Sequence, residues 1–162
     1  MGLYTGRLFR PALWLALLNV VMFSSGCRTT TETSLFTASG PGWHVQEGQA
    51  LWRPRRGYPE LAGDLVAVSD QNGRCLLQFS KTPLLLASAQ VTRTNWLIRF
   101  PPQEMSFAGR GKPPTRFLLL YLPAALAGEP LPKRLKFENK PDKSWRLENV
   151  RSGESLEGFL SP

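Results

Sequence analysis

Few side chains in this sequence could carry covalent or acid–base chemistry, and their spacing narrows the choice. There are two cysteines, Cys27 and Cys75, and one histidine, His44. A nucleophilic site needs a base beside the nucleophile and a third group to orient that base. His44 stands alone at the edge of the folded region, with no such companion at a recognisable spacing. Zinc-type sites need His, Cys or carboxylate ligands in closely spaced groups. No such cluster occurs, so no metal and no other cofactor is expected. Gly109-Arg110-Gly111-Lys112 lacks the full phosphate-loop pattern and runs into Pro113-Pro114, which makes it a flexible basic loop. Glu154 and Glu157 flank a turn and a strand with no sign of an enclosed cleft. The expectation is that the chain is not an enzyme.

The chemistry that remains is at Cys27. Arg7 and Arg10 give a basic start, and no Asp or Glu occurs before Glu32. Ala12 to Phe23, ALWLALLNVVMF, is an apolar run of secretory length, shorter than the roughly 20 residues that span a bilayer. Ser24, Ser25 and Gly26 then lead into the cysteine. This arrangement resembles the bacterial lipobox, although Ser24 stands where leucine is usual. In that motif the thiol is diacylated, the chain is cut just before the cysteine, and the new amine takes a third chain such as palmitate. An ordinary signal peptide or a short uncleaved anchor is the alternative. On the lipobox reading, residues 1–26 are a lipoprotein signal peptide. Residues 27–42 are the lipidated Cys27 and a flexible Thr-, Ser- and Gly-rich tether. Residues 43–162 are the domain. The resemblance implies the outer membrane rather than the inner one, because Arg28 replaces the retaining Asp, with the domain facing the periplasm. Cys75 then has no disulfide partner, and its setting in RCLLQF makes it a small buried hydrophobe.

From Trp43 onward the pattern is mostly β. WHVQEGQALWR, DLVAVSD, RCLLQFS, PLLLASAQVT, NWLIRF and QEMSFAG partly alternate apolar and polar residues, and RRGYPE, SDQNGR, KTP, TRTN and FPPQ separate them as turns. Gln71-Asn72-Gly73 predicts a hairpin with positive φ at both Asn72 and Gly73. Thr115 to Pro132 is different: its leucines predict one or two short helical pieces, split or kinked by Pro123 and stopped by Gly128. RLKFEN, SWRLENV and SLEGFLS are three further strands. The fold class is therefore mainly β with a short helical insertion, a curved antiparallel sheet lidded by the helix.

Gly63 to Phe100, together with LAGEPLPKRLKF and SWRLENV, resembles the LolA/LolB group of lipoprotein carriers and outer-membrane lipoprotein receptors. The resemblance implies an incomplete β-barrel whose apolar cavity holds the acyl chains of lipoproteins or phospholipids. It implies that Leu77, Phe79, Trp96 and Ile98 would line that cavity from the strands. Phe117, Leu119, Leu120 and Leu122 would line it from the helical insertion. Leu84, Leu85 and Leu86 would form a membrane-insertion loop, and a periplasmic carrier protein would be a partner. Read from the residues alone, KTPLLLAS is the start of a buried strand.

The net charge is +8, with basic clusters at Arg53 to Arg56, Arg110 to Arg116 and Lys133 to Lys143. Such a surface suits anionic head groups or acidic proteins. Nucleic acid is not expected for an exported protein. Two functions follow. One is an acyl-chain-binding lipoprotein that assists lipoprotein localisation or insertion. The other is a non-catalytic cell-envelope adaptor that binds a protein or anionic envelope partner. The first needs an apolar cavity, and the second a filled core.

Overall fold

The computed structural model describes residues 34–161. The signal segment, Cys27 and residues 28–33 of the tether lie outside the described residues. The strands are β1 (Trp43–Arg53), β2 (Leu61–Asp70), β3 (Cys75–Lys81), β4 (Leu84–Val91), β5 (Asn95–Phe100), β6 (Met105–Arg110), β7 (Leu135–Asn139), β8 (Trp145–Asn149) and β9 (Glu154–Ser161). Alternation is clearest in β3 and β8. In β3, buried Cys75, Leu77 and Phe79 face inward while Leu76, Gln78 and Ser80 are half-buried on the other side.

All nine strands belong to one antiparallel sheet in the order β6-β5-β4-β3-β2-β1-β9-β8-β7. β1 to β6 form a meander, as the short turns predict. β9 returns to the free side of β1, with register running from Glu47↔Ser161 to Arg53↔Ser155. β6 and β7 are left as edges, so the sheet is open. It is also strongly curved. Trp52 on β1 stacks on Phe100 of β5 with ring centroids 6.2 Å apart. Four strand spacings would hold those positions about 19 Å apart in a flat sheet. Two glycines permit the bend: a Cβ on Gly63 would strike the carbonyl oxygen of Ser80, and one on Gly158 would strike that of Gln49.

The expected helical insertion is a 3-10 turn, Leu118–Tyr121, running directly into a one-turn α-helix, α1 (Leu122–Leu126). Pro123 falls in the first turn of α1, where its missing N–H is not needed. Gly128, at φ 71°, ends the segment. Every residue from Phe117 to Leu122 is buried. They plug the concave face, where the small side chains of Ala67, Ala87 and Ala89 belong to the same core cluster as the plug leucines. The sheet, plug and core belong to one compact unit.

Two local features differ from expectation. In the Asn72-Gly73 turn only Gly73 has positive φ, at 78°. The Asp70 carboxylate accepts hydrogen bonds from the backbone N–H of Asn72 at 3.0 Å and of Arg74 at 2.8 Å. This side-chain bracket favours a longer loop with a single left-handed residue over the two-residue turn. The described part of the tether is also held to the sheet. Gln90 of β4 accepts from the Leu35 N–H at 2.7 Å and donates to the Phe36 carbonyl at 3.1 Å, and Phe36 stacks on Trp43.

Candidate functional site

The plug divides the molecule into an interior and an outer face. Phe117 meets the first half of the sheet through Trp96, Phe100 and Phe107, with ring centroids 5.1 to 6.3 Å apart. The guanidinium of Arg116 lies over Phe107 and Phe117. On the far side, the Asn149 side chain of β8 donates to the Thr115 carbonyl at 2.7 Å. The segment thus bridges the open side of the curved sheet.

Leu77, Phe79, Trp96 and Ile98 lie on the inner face of the sheet, all buried. Phe117, Leu119, Leu120 and Leu122 are buried in the plug opposite them. A void of about 10 Å³ lies between sheet and plug. Phe79, Ile98 and Leu119 line it, together with Trp52, Phe100 and Glu154. That volume suits at most one water molecule, whereas pockets for organic ligands run to roughly 300–1,000 Å³.

Glu154 is the polar residue that sequence reasoning misplaced. It is only 5% exposed and lines the void, so it is enclosed. Burial drives its pKa up to about 8, although the Trp52 indole N–H donates to it at 3.2 Å and the Leu118 backbone N–H also bonds to it. The cause is desolvation of a carboxylate in an apolar setting, only partly offset by the two donors. No signal in SGESLEG reveals this, because the burial depends on β9 passing beneath the plug. Glu157, three residues on, faces outward and pairs with Lys140 and with Arg146, the latter at 2.9 Å.

The leucines of the expected insertion loop are on strand β4, immediately after a two-residue Thr82-Pro83 turn. Leu84 is 60% exposed, Leu85 is half-buried, and Leu86 packs against the core. Register slips between Phe79 and Ser80, so Leu86 is the extra residue of a bulge. Leu84 therefore stands as a single exposed leucine at a hairpin tip.

The outer face carries a broad groove of about 670 Å³. Leu51 and Phe159, both exposed, lie in it beside Ala62, with Lys81 and Lys140 among its charged residues. Cys75 is buried, and desolvation pushes its thiol pKa up to about 12, the opposite of an activated nucleophile. His44 is exposed on β1. Among the described residues no three His, Cys, Asp or Glu side chains converge as metal ligands, and no helix is long and apolar enough to cross a membrane. No protein-family model matches this chain, and comparison with curated proteins gives no match.

Proposed function

We propose that this chain is a lipid-anchored, non-catalytic cell-envelope adaptor that acts through its surface, its half-barrel interior serving as structural core. The observation that carries this reading is the void of about 10 Å³ where an acyl-chain cavity would have to be. Cys27 is its anchor, at the outer membrane, with the domain on the periplasmic side. The open antiparallel sheet and its inward apolar plug support kinship with the LolA/LolB group. The exposed Leu51 and Phe159 of the outer groove offer a surface for a partner.

The acyl-chain carrier is the second reading, favoured by one feature: the interior surfaces are almost wholly apolar and meet a separate plug segment. If the plug swung out, Leu77, Phe79, Ile98 and Leu119 would be exposed to a chain. Titrating residues 28–162 with a fluorescent fatty acid separates the two. The adaptor reading expects no saturable uptake. Saturable uptake, abolished by Leu119→Trp in a variant that keeps its fold, would replace it with the carrier.

A further inference from the structure

Three turns meet at one end of the sheet. Antiparallel register brings Cys75 opposite both Ser69 and Val91, Val91 opposite Trp96, and Asn95 opposite Arg110. The β2–β3 turn, the β4–β5 turn and the segment after β6 are therefore neighbours. Gly111 donates its N–H to the Thr94 carbonyl at 2.7 Å, closing the last two together. Arg93, Thr94, Asn95, Arg110 and Gly111 line a shallow concavity of about 500 Å³ there, and Lys112 follows directly. Arg93 also reaches toward Gly73 of the β2–β3 turn.

The charges at this end are not balanced. Arg53, Arg74, Lys140 and Arg146 each have a carboxylate partner. In the three turns the sole carboxylate is Asp70, and Arg74 already holds it at 2.7 Å. Arg93, Arg110 and Lys112 have no acidic partner among the described residues, although Glu60, Glu148 and Glu157 all engage cations elsewhere. Two cations lining one concavity, Arg93 and Arg110, with Lys112 two residues along from Arg110, are matched to an anionic surface with many phosphates.

The position of the chain's exit indicates which surface. Ser34 is hydrogen-bonded to Gln90, three residues before Arg93. The same end carries the stacked Phe36 and Trp43, with Arg74 lying over both. Aromatic side chains of this kind suit the head-group level of a bilayer. From Cys27 to Ser34 the backbone spans at most about 25 Å at full extension. We infer that this end, built from Arg93, Arg110 and Lys112, is a docking face for a bilayer of anionic phospholipid. It orients the domain with the β4–β5 turn toward the membrane and the opposite end away from it. This face complements the Cys27 anchor on which the proposed function rests, but its electrostatics do not depend on acylation.

Co-sedimentation of residues 28–162, which carry the whole compact unit but no anchor, tests it. The vesicles are phosphatidylcholine alone or equal parts phosphatidylcholine and phosphatidylglycerol. Binding is expected to the anionic vesicles only and to weaken as salt rises. The combined variant Arg93→Ala, Arg110→Ala, Lys112→Ala is expected to lose about a hundredfold in partitioning, at about fivefold per cation. The control Lys133→Ala, Lys136→Ala removes charge near β7 and is expected to change it no more than about twofold per residue. Circular dichroism melts confirm that both variants fold. Equal losses per charge removed in the two variants would show attraction by net charge alone and overturn the docking face, as would equal binding to both vesicle types. Acylation of Cys27 is read separately by intact mass. Vesicle binding with an unmodified Cys27 removes the anchor and keeps the face, and an acylated chain without vesicle binding does the reverse.

Discussion

Replacing Glu154 with glutamine should flatten the pH dependence of stability across the neutral range. The native carboxyl has its pKa pushed up to about 8 by burial, while the unfolded chain has the ordinary value of 4.5. A group whose folded pKa is raised binds more protons folded than unfolded. Its contribution is therefore fully present below pH 4.5 and is lost as pH rises through 8. At about 1.4 kcal/mol per pH unit, the contribution of Glu154 to wild-type stability should fall by about 3 to 4 kcal/mol between pH 5 and pH 8. Glu154→Gln keeps an oxygen to accept from Trp52 and Leu118 but cannot ionise. It should lie within about 1 kcal/mol of wild type at pH 5 and exceed it by about 4 kcal/mol at pH 8. Urea unfolding of both proteins at pH 5, 6.5 and 8 measures this, and other titrating groups cancel in the difference. Parallel pH profiles for the two proteins would mean that Glu154 is solvated rather than sealed beneath the plug.

Other substitutions probe separate parts of the structure. Leu122→Ala, at a position with no exposure, should cost about 2–5 kcal/mol in chemical denaturation. Leu84→Glu should change stability by less than about 0.5 kcal/mol, because that side chain is 60% exposed at the hairpin tip; a cooperative loss of fold would place it in the core. Gly158→Ala drives a methyl into the Gln49 carbonyl and against Ala50, and should lower stability by about 1–3 kcal/mol, read as a drop in melting temperature. Native Cys75 should resist iodoacetamide at pH 8 and react fully in guanidinium; rapid native labelling would contradict both its burial and its thiol pKa of about 12.

Local pattern made the elements of this fold readable. The segments WHVQEGQALWR and NWLIRF, bounded by turn residues, mark β1 and β5 at their observed ends, and Pro123 with Gly128 frames the helical piece. The return of β9 to β1 left no trace, because antiparallel register between segments about a hundred residues apart depends on the whole sheet. Glu154 was opaque for the same reason: in the sequence it is a turn carboxylate, and only the β9–plug contact buries it. The tether's composition suggests freedom through Gly42, yet Phe36 and Leu35 dock where Gln90 and Trp43 happen to meet them. Whether an apolar lining encloses space or fills it is decided by the fit of side-chain volumes, which hydrophobic pattern does not encode.

One mass measurement addresses the anchor and the sealed interior together: native mass spectrometry of the full-length protein extracted from membranes, followed by denaturing intact mass. The predicted result is a chain beginning at Cys27 and carrying covalent acyl groups, with the native and denatured masses agreeing because no lipid is held non-covalently. A native mass heavier by a phospholipid or a lipoprotein acyl chain, lost on denaturation, would contradict the closed adaptor and establish a cargo site behind the plug.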